Sequence, residues 1–154
     1  MEHRKQNSFL GTMPSPASRL AGFYYMHPRN RFWPVMEKIF GVTLPSVNER
    51  RAFLLQNNIA LWDVLCGCDI DGAQDSSIKN AVPNNFTQIL NESKISRIFC
   101  TGKTALLLYE KLCAKNYSVT YEGLPSTSPA NASWTLKKLC EEYRKKIFAD
   151  AFHQ

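Results

Sequence analysis

The sequence predicts an α/β protein: a three-layer α/β/α sandwich around a central, mostly parallel four-stranded sheet. Three observations lead there. Strand-length apolar runs alternate with helically spaced segments about four times, which implies parallel strands joined by right-handed crossovers. The run Ile59 to Leu65 is almost continuously apolar, as in a strand covered on both faces. A length of 154 residues with 44% hydrophobic side chains suits one core, so residues 1–154 are read as a single domain.

The elements follow in order. Asn7 to Gly11 is a short first strand. Gly11 to Asn30 is a long loop with Pro14, Pro16, Gly22 and Pro28, and loops of that length in compact domains are usually functional or disordered. Its Phe23-Tyr24-Tyr25 content argues for order. Phe32 to Phe40 places Phe32, Met36, Ile39 and Phe40 on one helical face, with Gly41 as the stop. Ser46 to Asn57 is a helix whose Ser46 and Glu49 form a capping-box pattern. Ile59 to Leu65 is the second strand, and Asp69 to Asn85 is polar and turn-rich. Asn85 to Ser93 is helical and Ile95 to Cys100 a strand. Gly102 to Asn116 is a helix offering Leu106, Leu107, Tyr109 and Leu112 to the core. Tyr117 to Tyr121 is the last strand, and Trp134 to Phe148 is an amphipathic helix with a basic outer face.

Lys and Arg outnumber Asp and Glu by 19 to 13, and the pI is about 9.1; this balance fits a nucleic-acid partner without requiring one. No apolar run approaches the roughly 20 residues of a membrane span, and Phe9-Leu10 is too short for the core of a signal peptide. The five cysteines are odd in number and irregular in spacing, which points to reduced thiols in a cytoplasmic protein. They form no CxxC pair, and no spacing of His, Cys or carboxylates suits a metal, so neither metal nor cofactor is expected.

Two loop motifs carry the chemistry. Gly11-Thr12-Met13-Pro14-Ser15, soon followed by Gly22 to Trp33 (GFYYMHPRNRFW), comes after the first strand. Leu124 to Ala132 (LPSTSPANA) comes after the last. Ligands of open α/β sheets bind outside the carboxyl ends of the strands, so the two loops are expected to close on one crevice. Phe23, Tyr24, Tyr25, Phe32 and Trp33 supply aromatics, with Phe32 and Trp33 leaning toward core packing.

These segments, together with Ala60 to Leu65 and the stretch Asp69 to Pro83, resemble the uracil-DNA glycosylase superfamily, in particular its hypoxanthine (deoxyinosine) branch. The order matches and the likeness spans nearly the whole chain. The resemblance implies an enzyme that flips a deaminated base from DNA and hydrolyses its N-glycosidic bond, leaving an abasic site. The base is hypoxanthine, with uracil or xanthine as alternatives. A catalytically inactive nucleic-acid-binding relative is the competing reading.

Two positions depart from the superfamily's usual pattern. Met13 stands where an Asp or Asn orients the attacking water. Leu124 stands where a His assists the leaving base. In the hypoxanthine branch the resemblance moves the water-orienting role to Asn30, a carboxamide able to accept from water; the alternative is that Asn30 caps the following helix. Gly11, Thr12, Met13, Tyr25, Phe32 and Asp63 are the implied base pocket, with Asp63 accepting from a base N–H or, alternatively, serving a turn. Ser15, Arg29, Ser126, Ser128 and Asn131 are the implied DNA contacts, Asn131 at the tip where the family wedges the duplex. No lysine lies in a motif for Schiff-base chemistry, so strand cleavage is not expected. The partner is DNA carrying a deaminated base, met by a monomer.

Overall fold

The structure, a computed structural model, describes residues 6–12, 18, 20, 22–69, 79–92 and 95–149, with the backbone alone at 66–69, 89, 91 and 92. Met13 and Ser15 therefore lie outside the described residues.

Four parallel strands form the central sheet: β1 (Gln6–Gly11), β2 (Ile59–Asp63), β5 (Ile95–Thr101) and β6 (Thr120–Leu124), in the order β2-β1-β5-β6. The chain steps from β1 to one side for β2, then crosses to the other side for β5 and β6. The reversal falls between β1 and β5, and such a switch point opens a crevice at the carboxyl ends. The registers Gly11 with Asp63, Leu10 with Cys100, and Thr101 with Leu124 bring all four carboxyl ends to one rim.

Helices cover both faces. On one, α1 (Phe32–Phe40), α2 (Val47–Gln56) and α5 (Leu136–Ile147) bury Phe32, Trp33, Met36, Leu139 and Tyr143 around Phe9 and Phe99. On the other, α4 (Lys103–Leu112) packs Ala105 and Tyr109 over Leu10, Ile98 and Cys100, near Phe86 at the start of the short α3 (Thr87–Glu92). The three-layer expectation is met.

Local signals act as anticipated at several termini. Gly41 ends α1 in the left-handed region at φ 67°, where a Cβ is disfavoured. Ser46 Oγ accepts the Glu49 N–H at 3.3 Å, and Thr135 caps α5 in the same way.

Leu107, offered to the core, is exposed instead, and three expectations about the strands need correction. The apolar run Ile59 to Leu65 does not make one strand: β2 ends at Asp63, and a new strand β3 (Leu65–Asp69) begins after Val64. The segment read as turns from Asp69 contributes β4 (Lys79–Pro83), antiparallel to β3, so a two-stranded ribbon leaves the sheet beside Asp63. The last strand is β6, three residues later than expected. A 3-10 turn at Ala114–Asn116 intervenes, and the Tyr117 hydroxyl accepts the Phe86 N–H at 2.7 Å, which makes Tyr117 an anchor for α3.

Candidate active site

At the end of β1 the backbone of Gly11 is bare. A Cβ there would lie 3.0 Å from Asp63 Oδ1, 3.7 Å from the Tyr25 hydroxyl and 3.9 Å from Thr101 Oγ1. Three polar groups from three segments thus converge over one residue that has no side chain. The fold sets each of them. Asp63 is the last residue of β2, pinned by the Asn84 amide donating to its carbonyl at 2.8 Å, while Val64 N–H turns back to the Gly11 carbonyl. Thr101 ends β5 beside the switch point. Tyr25 sits in the long loop with φ 56°, a costly backbone for a non-glycine residue. Its ring holds that position by stacking on Phe32 at 4.1 Å between centroids.

The hydroxyls have a definite polarity. Thr101 Oγ1 donates its one proton to the Leu10 carbonyl at 3.2 Å, so in the 3.3 Å contact between Thr101 and Tyr25 the phenol is the donor. Among the described residues no hydrogen-bond donor and no cation is seated on the Asp63 carboxyl. Burial raises that carboxyl to about 6 from an ordinary 3.8. Burial also raises the Tyr25 phenol, with the Asp63 charge adding to the effect.

The aromatic string divides into two roles. Phe32 and Trp33 are buried and belong to the core. Trp33 donates its indole N–H to the Tyr24 carbonyl at 3.0 Å and lies between the stacked Phe23 ring and the Arg50 guanidinium. Phe32 reaches the crevice only as the support beneath Tyr25, which leaves Tyr25 as the aromatic at the Gly11 rim. Thr12 is buried and its carbonyl accepts the Leu65 N–H at 3.1 Å, so it shapes the rim through its backbone.

Asn30 lies at the seam between the loops. Its Oδ1 accepts the Phe32 N–H at 2.8 Å and the Thr127 hydroxyl at 2.9 Å. The backbone N–H can only donate, so the oxygen must face it, and both lone pairs are then taken. The expected acceptance from water through this oxygen does not fit. The carboxamide caps α1 and offers only its amino group. Arg31 performs the joining: its guanidinium donates to the carbonyls of Ser128 (2.8 Å), Asn131 (3.0 Å) and Trp134, and its N–H bonds the Thr127 carbonyl.

The second loop is self-braced. Ser126 Oγ accepts the Ser128 N–H, Ser128 Oγ accepts the Ala130 N–H, and the Asn131 amide donates to the Ser126 carbonyl. Both serine protons stay available to an outside acceptor, whereas Asn131 is held within its own loop. Arg29 is exposed, and the His27 ring nitrogen Nδ1 accepts its N–H at 3.1 Å, which marks His27 as a turn residue. Cys100, Cys113 and Cys140 are free and buried, with Cys100 pushed up to about 12 by burial. Among the described residues no cluster could hold a metal, and no helix is long and apolar enough to cross a membrane.

Sequence reasoning named Gly11, Tyr25 and Asp63, which the structure brings together. It missed Thr101 and Thr127, and it read Arg31 as a phosphate contact or surface salt bridge where the structure has it holding loop carbonyls. A polar residue ending a buried strand was the available signal for Thr101.

A parallel sheet whose strand order reverses between β1 and β5, with two loops converging at its carboxyl ends, places a ligand site at that rim. The sequence matches the uracil DNA glycosylase superfamily over residues 5–152, and the chain belongs to that family. Two relatives are described as hypoxanthine DNA glycosylases. That of Methanosarcina barkeri (strain Fusaro / DSM 804) is 38% identical over 146 residues, covering 93% of this chain and 87% of that protein. That of Methanosarcina acetivorans is 29% identical over 134 residues, covering 86% and 84%. A solution NMR structure from Methanosarcina acetivorans, provisionally assigned as a uracil DNA glycosylase, superposes with a TM-score of 0.78 at 28% identity, covering 95% of this chain and 91% of that one.

Proposed function

We propose that this chain, a DNA glycosylase, removes hypoxanthine from DNA by hydrolysing the bond between C1′ and the base. The convergence of Asp63, Tyr25 and Thr101 over bare Gly11 carries the reading: it gathers three polar groups at the carboxyl ends of the strands, where a flipped base would present its edge. Two relatives described as hypoxanthine DNA glycosylases support the choice of base.

In this reading Tyr25 flanks the base and Asp63 meets the edge bearing N1–H and O6. The Asn30 amino group donates to the attacking water or to the sugar-phosphate beside it, holding either without removing a proton. Ser126 and Ser128 donate their free hydroxyl protons to phosphates, and Arg29 adds charge. Phosphate contacts of this kind position DNA without specifying the base. The protein works as a single domain and a monomer on DNA in the cytoplasm.

The test is a gel assay on labelled duplexes carrying one inosine, uracil or xanthine, followed by alkali. Cleavage at inosine above the other two is expected. Tight binding with no alkali-labile site in any duplex would establish the inactive, DNA-binding alternative.

A further inference from the structure

We propose that Asp63 acts on the flipped base as a carboxylic acid, donating a proton to its exocyclic oxygen and so replacing the leaving-group assistance that Leu124 cannot provide. The inference rests on the proposed function and names a chemical step within it. It starts from hydrogen-bond direction. Thr101 spends its proton on the Leu10 carbonyl, so Tyr25 must donate to Thr101. The phenol therefore turns a lone pair, not a proton, toward the space over Gly11 that it shares with Asp63 Oδ1. Gly11 contributes no side chain. Asn84 uses its amide on the Asp63 main-chain carbonyl. The titratable groups that face Asp63 are Tyr24 and Tyr25, both acidic groups that would add negative charge if ionised. Among the described residues nothing around Asp63 offers a proton or a positive charge, and a partly buried carboxylate so placed lacks the partners that ionisation requires.

The neutral acid suits this niche and suits the ligand. Its carbonyl oxygen accepts the base N1–H while its O–H donates to O6. When the C1′–N9 bond breaks, its electron pair passes into the purine and out to O6, which takes the Asp63 proton. Hypoxanthine leaves neutral, as its enol. Water bonds to C1′ and loses a proton to solvent, and solvent reprotonates Asp63. Thr101 is a positioning residue here, acting through Tyr25.

The experiment follows single-turnover release of hypoxanthine from an inosine duplex between pH 5 and 9, for the unaltered protein, Asp63→Asn and Thr101→Val. An infrared titration of the free protein accompanies it, read as the difference against Asp63→Asn. The rate of the unaltered protein should fall by up to tenfold per pH unit above an inflection at or above 6. Asp63→Asn keeps a donor that does not titrate, so its slower rate should be flat across the range. Thr101→Val frees the phenol proton to reach Asp63 and should move the inflection downward. A protonated carboxyl band lost at an inflection near 6 should belong to Asp63. A rate that rises with pH, an inflection unchanged in Asp63→Asn, or a carboxyl already ionised at pH 5 overturns the inference. No base release at any pH overturns the proposed function instead, and the infrared titration still decides the protonation of Asp63.

Discussion

Asn30 spends its side-chain oxygen twice, on the Phe32 N–H and the Thr127 hydroxyl, so any work it does on DNA or water must come from its amino group. The substitution Asn30→Asp separates the two roles. Aspartate keeps both bonds of the cap and removes the donors. It should melt within a few degrees of the unaltered protein yet release base at least about 100-fold more slowly, as loss of one positioning group commonly costs. Asn30→Ala should lose activity and about 1 kcal/mol of stability with the cap. Equal excision by a folded Asn30→Asp protein would reduce Asn30 to a cap. Asp63 carries a second residue-scale prediction. Its folded carboxyl titrates near 6 and its unfolded one near 3.8, so the native state binds the proton more tightly. Stability therefore falls as pH rises from about 4 to 6, and the loss is complete above 6. Asp63→Asn should raise the stability at pH 8 by on the order of 1–2 kcal/mol, read as a higher melting temperature, and leave it unchanged below pH 4. At this scale the sequence made Asp63 and Asn30 visible because each lies within a recognisable string. It hid the direction of their hydrogen bonds, which depends on partners 97 residues away in the case of Thr127.

Two arginines, Arg97 buried and Arg31 half-buried, tie the elements together. Arg97 on β5 donates to the Asn7 side chain and to the carbonyls of Ile147 and Ala149 at the end of α5, where a cation suits the helix dipole. Arg31 holds three carbonyls of the second loop and so fixes Ser126 and Ser128 relative to the Tyr25 segment. Arg31→Met should leave the sheet folded, lower the melting temperature by several degrees and raise KM for DNA about tenfold. A change in kcat alone would show that the loop needs no clamp. Capped helices were legible in the sequence where Ser46 and Gly41 act within one turn. The strands of the region between Asp63 and Tyr121 were less so. Nothing in the run Ile59 to Leu65 announces that the chain breaks at Val64, because the break is made by carbonyls of Gly11 and Thr12 from another strand. β6 carries Glu122 at the sheet edge, where Lys146 of α5 reaches its carboxylate at 2.8 Å, a partner the local sequence does not announce.

For the whole molecule, a net charge of +6 predicts that DNA affinity falls steeply with salt as phosphates exchange counterions for protein cations. Two surfaces compete for that role: the rim with Arg29, Ser126 and Ser128, and the exposed face of α5. Lys146 is withdrawn from the second by its bonds to Glu122, Glu142 and the Gly123 carbonyl. Titrating a Ser126→Ala, Ser128→Ala variant and a Lys137, Lys138, Lys145 neutralised variant against one duplex at several salt concentrations decides between them. The rim variant should bind more weakly with its base preference unchanged. Loss confined to the α5 variant would turn the protein around on its DNA.

The central claim is that a base sits over Gly11, and the most direct measurement is hypoxanthine release by Gly11→Ala. The added methyl would stand 3.0 Å from Asp63 Oδ1, inside the proposed niche, at a position whose backbone does not require glycine. Folded and with unchanged affinity for undamaged DNA, the variant should release hypoxanthine from an inosine duplex at least about 100-fold more slowly than the unaltered protein. Release at the same rate by both proteins would place the reacting base somewhere other than the crevice between β1, β2 and β5.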